Sequence, residues 1–249
     1  MAKVKVVILA AGKGTRMKSE WPKALAPLFG KPLLSHLLES VDQAAIDPKP
    51  VVVVGYGRDV VMKELGAKYE YAAQEEQLGT GHAVLAAKDA CGDAENVMVL
   101  YVDHPLITPG TIKKLAEKHF QTGPKITMAT ATVPDFSDWR SFLYSNFSRI
   151  VRDGNGQIIK DVQFRDTTET EKQIREINPC YFCFDAPWLW DKLKNLKTDN
   201  DQKQYYLTDL IKLAIKEGEK IETLDIDPRE ALGANSKEEL EILEKMGRI

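Results

Sequence analysis

Cysteine is scarce in this chain: only Cys91, Cys180 and Cys183 occur. An odd and small number, with no secretory leader ahead of it, excludes a disulfide-built scaffold and points to a reducing, cytoplasmic setting with free thiols. A basic excess is missing too. Lys and Arg number 34 against 37 Asp and Glu, for a net charge of -3, which excludes the cationic face a general nucleic-acid binder needs. No apolar stretch approaches the roughly 20 residues of a membrane helix, so no bilayer contact is expected. Internal repeats and low-complexity tracts are also lacking. What remains is 249 residues that are 43% hydrophobic, enough to bury a large α/β core without staples, with small molecules as the expected partners.

Short β-branched runs alternate with amphipathic stretches: "KVKVVILA" then "PLLSHLLESVDQAA", "PVVVVGY" then "RDVVMKELGA", "YEYAAQ" then "GHAVLAAKDA", "NVMVLYVD" then "TPGTIKKLAEKHF". This predicts right-handed crossovers and a Rossmann-like α/β fold with a mostly parallel central sheet. "VVIL", "VVVV" and "VMVL" are continuously apolar, as expected of strands covered by helices on both faces. Ligands of such sheets bind at the carboxyl ends of the strands, which marks Ala10 to Arg16, Gln74 to Gly81, and Asp103.

Beyond about residue 124 the pattern loosens into what reads as a second half laid over the first. It contains a hairpin turning at Gly154-Asn155-Gly156 and one strand from Ile177 to Phe184. Helices are expected over Trp188 to Leu196 and Tyr205 to Lys216, then a strand "KIETLDI" and a closing helix capped by Ser236. Cys180 and Cys183 form a lone C-x-x-C. In a strand their side chains point to opposite faces, so they read as buried thiols and not as half of a zinc site.

The first loop is the chemical centre of the sequence. A Walker A loop needs a glycine where Val7 stands, and the Rossmann fingerprint needs one where Met17 stands, so neither applies. What is left is a strand running into Ala10-Ala11-Gly12-Lys13-Gly14-Thr15-Arg16 and then Pro22-Lys23. Small residues let the backbone approach an anion, and Arg16 and Lys23 supply charge for a polyphosphate.

"LAAGKGTRM" (from Leu9) followed by "PKAL" (from Pro22) resembles the signature of the sugar-1-phosphate nucleotidyltransferases, which join a nucleoside triphosphate to a sugar 1-phosphate. "QEEQLGTGHA" (from Gln74), "LYVDHPLI" (from Leu100), "EIN" (from Glu176), "YYLTD" (from Tyr205) and "GAN" (from Gly233) follow in that family's order and spacing, over almost the whole chain. The uridylyltransferases that make UDP-N-acetylglucosamine are the most similar branch.

The resemblance implies one nucleotidyltransferase domain over 1–249, with a nucleotide-binding half at 1–123, a smaller mixed sugar-binding half at 124–235 and a C-terminal helix at 236–249. It implies Mg²⁺ held by Asp103 and Asn235, with Lys23 on the transferred phosphoryl group and Arg16 on the leaving pyrophosphate. Leu9, Ala10, Ala11, Gly12, Gly14, Thr15, Gln74, Gln77, Gly79 and Thr80 would hold the nucleotide. Ser148, Gln163, Asn178, Tyr206 and Thr208 would hold the sugar. His104 has no role in the family's chemistry and is expected to be structural. Asp225 and Asp227 in "LDID" are an alternative acidic pair.

Departures from the pattern fall on the sugar side. Val102 and Ser148 stand where the family has Gly, Gln163 where it has Glu, and Pro179-Cys180 where it has Thr-Gly. Val102 and Ser148 are expected to narrow the pocket. No acetyltransferase β-helix follows the closing helix, so acetyl transfer is not expected and the oligomeric state is open. A cytidylyltransferase for another phosphorylated substrate and a non-catalytic nucleotide-sugar sensor are the alternative readings.

Overall fold

The computed structural model describes residues 3–17, 21–198 and 203–247. In chain order, β1 (Val4–Leu9), a small hairpin of β2 (Pro27–Leu28) and β3 (Lys31–Pro32), α1 (Leu33–Ala44), β4 (Val51–Val54), α2 (Arg58–Leu65), β5 (Glu70–Ala73), α3 (Thr80–Ala86), α4 (Lys88–Cys91), β6 (Asn96–Tyr101) and α5 (Pro109–Thr122) come first. Then follow β7 (Ile126–Thr132), α6 (Ser141–Asn146), β8 (Arg149–Arg152), β9 (Ile158–Val162), α7 (Glu169–Lys172), β10 (Glu176–Ile177), β11 (Phe182–Asp185), α8 (Ala186–Lys194), α9 (Asp209–Glu217), β12 (Ile221–Ile226) and α10 (Lys237–Met246).

The continuous apolar runs take the central places, because only a strand covered on both faces can bury every side chain. β1 pairs in parallel with β4 and β6, β5 extends the parallel set, and β12 runs parallel to β7. Val4, Val6 and Ile8 enter one core while Val7 and Leu9 enter the other. The first core is roofed by Leu33, Leu34, Leu37, Leu38 and Val41 of α1 with Ile112 and Leu115 of α5, and the second by α3, α8 and α9. Each such side chain removed from water contributes about 1.5–3 kcal/mol. The α/β class and its mostly parallel central strands are therefore as expected.

Three details differ from the sequence reading. The later half is not laid over the first: β11 inserts antiparallel between β6 and β7, so both halves share one sheet. The strand expected from Ile177 to Phe184 is two strands. Asn178, Pro179 and Cys180 break it, since Pro179 has no N–H to pair and Cys180 takes the left-handed conformation at φ 64. β10 thereby leaves the β6 side of the sheet and pairs with β8. The helix expected from Tyr205 starts at Asp209, because the preceding residues are laced to another loop: Tyr205 N donates to Leu78 O at 2.8 Å, and Gly81 N donates to Tyr205 O at 2.7 Å. The hairpin at 154–156 and the Ser236 cap, whose side chain accepts from Glu239 N, are as expected.

Cys183 enters the first core and Cys180 packs against the second, so no metal knuckle forms. Burial pushes the Cys91 thiol up to about 12 and the other two higher still. Since the thiolate is the nucleophile, an aromatic disulfide reagent at pH 8 is expected to leave the native thiols largely unmodified and to label all three in denaturant. Fast labelling of one thiol in the native protein would contradict this burial.

Candidate active site

Two clefts open at the carboxyl ends of the parallel strands and meet at Asp103. The first, about 260 Å³, is bounded by Leu9, Ala11, Gly12, Gln74, Gln77, Gly79 and Thr80. The second, about 210 Å³, is lined by Ser148, Gln163, Asn178 and Cys180 together with Phe142, Phe147 and Leu232. Tyr101 and Asp103 line both. This meeting follows from the sheet, since β1 and β6 end side by side with Leu9 opposite Tyr101, and the departure of β10 opens room beyond them.

At the junction, Lys23 Nζ donates to Asp103 Oδ2 and to Asn235 Oδ1, each at 2.7 Å, and Arg16 Nη2 reaches the same Asn235 oxygen at 3.1 Å. Burial alone would raise the Asp103 carboxyl. The Lys23 ammonium, His104 and hydrogen bonds from Lys23 and the backbone together hold it well below the usual carboxylate range. Ala234 N donates to Asp103 O at 2.7 Å, which carries the 233–235 turn to the end of β6. Gly14, at φ +66, lets Lys23 pass: a Cβ there would stand 2.7 Å from Lys23 Cβ.

Gln77 Nε2 donates to Ala11 O at 2.9 Å, and Gln74 Nε2 donates to Gly79 O at 3.0 Å. Gly79 has φ +109, and a Cβ on it would lie 2.6 Å from Tyr205 O, so only glycine fits between the two loops. Thr80 Oγ1 accepts from Leu207 N at 2.9 Å and also bonds Tyr101.

The sugar-side residues are less uniform. Ser148 and Gln163 line the second cleft, whereas Tyr206 and Thr208 precede α9 outside that lining. Asn178 is fully buried, with Nδ2 donating to Asp161 Oδ2 at 2.9 Å and Oδ1 accepting from Cys180 N at 2.8 Å. Burial raises the Asp161 carboxyl, and Ser148, Asn178 and Lys212 oppose that rise.

Several placements correct the sequence reading. Arg16 faces the second cleft, not the first. Ala10 belongs to the hydrophobic core, Thr15 is exposed at the start of a short turn, and Gly14 acts through Lys23. Val102 packs into the core and borders the first cleft, so it does not narrow the second. The alternative pair is engaged elsewhere: Asp225 Oδ1 accepts from Thr132 and Asp227 binds Arg229. His104 is buried among Tyr101, Phe147 and Tyr181, and burial lowers its pKa, in keeping with a structural role.

Two residues escaped the sequence reading. Glu239 accepts from the backbone N–H of Asn235 at 2.7 Å and so fixes the backbone at 235 beside the junction; its signal was the spacing Ser236-x-x-Glu239 ahead of a helix. Arg149 is fully buried among the rings of Phe136, Tyr144 and Phe164 and donates to Phe147 O at 2.8 Å, which fixes the aromatic wall. No sequence signal marks a charge that is buried this way.

The model of the MobA-like NTP transferase domain matches residues 6–211. The chain is 40% identical over 242 residues to "Bifunctional protein GlmU" of Brevibacillus brevis, covering 96% of this chain and 50% of that protein. It is 42% identical over 241 residues to the protein of that name from Pelotomaculum thermopropionicum, covering 96% and 51%. With that of Desulfotalea psychrophila the identity is 37% over 247 residues, covering 98% and 70%. The chain thus spans about half the length of the first two. Among solved structures, a CMP:2-keto-3-deoxy-manno-octonic acid synthetase complexed with CTP matches with a TM-score of 0.71 at 16% identity, covering 98% of each chain, a likeness of fold alone. A family match over most of the chain, laid on this junction of two clefts, establishes that the chain belongs to the MobA-like NTP transferases and is a nucleotidyltransferase.

Proposed function

We propose that this enzyme transfers the uridylyl group of UTP to a hexose 1-phosphate and releases pyrophosphate. The observation that carries the reading is the meeting of the two clefts at Asp103, Lys23 and Asn235. A nucleotide held by the 1–123 half and an acceptor held by the 124–235 half would bring their phosphates together there. An acceptor phosphate oxygen attacks the α-phosphorus in line, the bond to the β-phosphate breaks, and pyrophosphate leaves with the electron pair. Most of the acceleration then comes from positioning two polyanions and neutralising them. Lys23, which borders the first cleft, serves the transferred phosphoryl group, and Arg16, on the side of the second cleft, serves the acceptor phosphate and not the pyrophosphate first expected of it.

Asp103 and Asn235 fit Mg²⁺. Their oxygens already converge on one positive charge, and a hard cation accepts one carboxylate and one amide oxygen while leaving positions for water and phosphate. Among the described residues no group of three or more His, Cys, Asp or Glu could hold a metal, which suits an ion shared with substrate phosphates. When bound, Mg²⁺ would supply charge neutralisation between the two phosphates.

Gln77 has one N–H on the Ala11 carbonyl and keeps its amide oxygen and second N–H for the base, beside Gln74, Gly79 and Thr80 in the first cleft. Acidic sugars fit the second cleft less well than neutral ones. Among the described residues Arg16 is the only Lys or Arg lining it, and the Arg149 guanidinium is turned to carbonyls and rings. Among the described residues no helix is long and apolar enough to cross a membrane.

Pyrophosphate release measured with UTP, CTP, ATP and GTP against a panel of sugar phosphates tests the reading. UTP should be preferred, with poor discrimination between N-acetylglucosamine 1-phosphate and glucose 1-phosphate or a preference for another hexose 1-phosphate. A charged hydrogen-bond acceptor commonly contributes about 1.5–3 kcal/mol, so Gln163→Glu should move the ratio of kcat/KM between the two sugars by roughly one to two powers of ten. Release with CTP alone, or with no triphosphate, would overturn the proposal. A wild-type preference for the N-acetylated sugar by several powers of ten, unchanged in Gln163→Glu, would overturn the role of position 163.

A further inference from the structure

Ser236 caps α10 by accepting from Glu239 N at 3.2 Å. In a capping box the carboxylate three residues into the helix would turn back to the N–H of the cap residue itself. That of Glu239 goes one residue further, and its Oε2 accepts from Asn235 N at 2.7 Å. Asn235 lies ahead of the cap, so this bond satisfies none of the helix's own first amides and holds the preceding turn instead. On the other side of the turn Ala234 N donates to Asp103 O at 2.7 Å. Two successive amides thus tie it to the end of β6 and to the start of α10. The turn is folded closely about the Asn235 side chain, since a Cβ on Gly233 would stand 2.9 Å from Asn235 Nδ2. Lys23 and Arg16 both donate to the oxygen of that amide. The second Glu239 oxygen, Oε1, accepts from Nδ2 of Asn146, the last residue of α6, at 3.3 Å. α6 brings Phe142, Leu143 and Asn146 to the second cleft, where they meet Asn235 and Glu239. One buried carboxylate therefore joins two separate stretches of the lining.

We propose that Glu239 is a positioning residue, which couples the α6 side of the acceptor cleft to the Asn235 amide and through it to Arg16. The assignment rests on the reading of that cleft as the acceptor site and of Arg16 as serving the acceptor phosphate. An acceptor packed against α6 is then in register with the cation that meets its phosphate. Register matters, because a misplacement of about 1 Å can cost roughly a hundredfold in rate. A carboxylate suits the position: both of its oxygens only accept, and both groups that face them are N–H donors. Polarity makes the coupling testable. Asn146→Asp would set two carboxylates against each other. Glu239→Gln can keep the Asn235 N–H on its oxygen while its NH₂ meets either an Asn146 amide turned over or the carboxylate of Asn146→Asp.

The experiment is steady-state kinetics with UTP and with glucose 1-phosphate or N-acetylglucosamine 1-phosphate, alongside thermal unfolding, for Glu239→Ala, Glu239→Gln, Asn146→Asp and the double variant Asn146→Asp/Glu239→Gln. Glu239→Ala is expected to lower kcat by roughly tenfold to a hundredfold and to raise the acceptor KM, with the UTP KM within about twofold of wild type. Glu239→Gln should recover most of the kcat lost in Glu239→Ala. Asn146→Asp should raise the acceptor KM about tenfold, since like charges at short range repel, and the double variant should relieve most of that rise. A change that only loosened the scaffold would lower the melting temperature without this split and without this relief. Wild-type kcat and acceptor KM in Glu239→Ala, or equal rises in the KM for UTP and for acceptor, would overturn the assignment alone. So would an Asn146→Asp variant with no loss, or with a loss that Glu239→Gln does not relieve; this pair carries the test if Glu239→Ala fails to fold. Absence of pyrophosphate release by the wild type with every acceptor would overturn the functional reading and this assignment with it.

Discussion

Asp103→Asn is expected to lower turnover by roughly a thousandfold or more while leaving the fold nearly intact. Among the described residues Asp103 is the one carboxylate that lines both clefts, and groups that stabilise charge at the reacting phosphates commonly account for two to three powers of ten each. Loss of a carboxylate proposed to hold Mg²⁺ would add to that. The fold should tolerate the change. The amide oxygen of Asn can still accept from Lys23, and Lys23 keeps Asn235 Oδ1 at 2.7 Å, so unfolding free energy should fall by no more than about 2 kcal/mol. Pyrophosphate release over a range of Mg²⁺ concentrations, together with a thermal melt, checks both halves of the expectation. Metal-dependent turnover close to wild type would remove Asp103 from the centre of the reaction. Against the rise from burial, Lys23, His104 and hydrogen bonds hold its carboxyl well below the usual range, so an acid limb in the activity profile is expected to come from other groups.

The parts that could be read from the sequence were those governed by local rules. "VVIL" and "VVVV" announce central strands because continuous apolar runs need cover on both faces, and β1 and β4 are buried as that requires. The turn at Gly154-Asn155-Gly156 and the cap at Ser236 follow from backbone preferences a few residues long. Leu9, Ala11, Gly12, Gln74, Gln77, Gly79 and Thr80 line the first cleft, since strand ends in a parallel sheet come together, whereas Ala10, Gly14, Thr15 and Arg16 do not. What stayed hidden depends on partners distant in the chain. Tyr205 looks helical until the Leu78–Gly81 loop takes its backbone bonds. Asn178 looks like a free sugar ligand until Asp161 and the Cys180 amide occupy its side chain. Arg16 sits in the phosphate loop by sequence, yet reaches Asn235, 219 positions away. Cys180 keeps the left-handed backbone that a glycine would adopt freely, a strain of order 1 kcal/mol that no local pattern predicts.

Lys23→Ala is expected to lower kcat by about a hundredfold to a thousandfold, with only a few-fold rise in the KM for UTP. An ammonium aimed at a phosphoryl group gains interaction as charge moves onto the leaving oxygens, so its loss falls on the transition state more than on bound substrate. The same ammonium joins Asp103 to Asn235, and its loss leaves a largely buried carboxylate without its counter-charge. The variant should therefore also lose stability, by about 1–3 kcal/mol. Those two effects are separable. Lys23→Met keeps most of the side-chain volume beside Gly14 while removing the charge, so it should show the same kcat defect as Lys23→Ala with a smaller packing loss. Saturating Mg²⁺ should recover stability in both variants by neutralising Asp103, but it should not recover kcat, since a cation held on the carboxylate does not replace the donor on the phosphoryl group. Full turnover in Lys23→Ala with only weakened UTP binding would make Lys23 a binding cation and nothing more. Recovery of kcat by Mg²⁺ alone would show that its charge serves to hold Asp103 and Asn235 together, and that the reacting phosphate is neutralised by other groups.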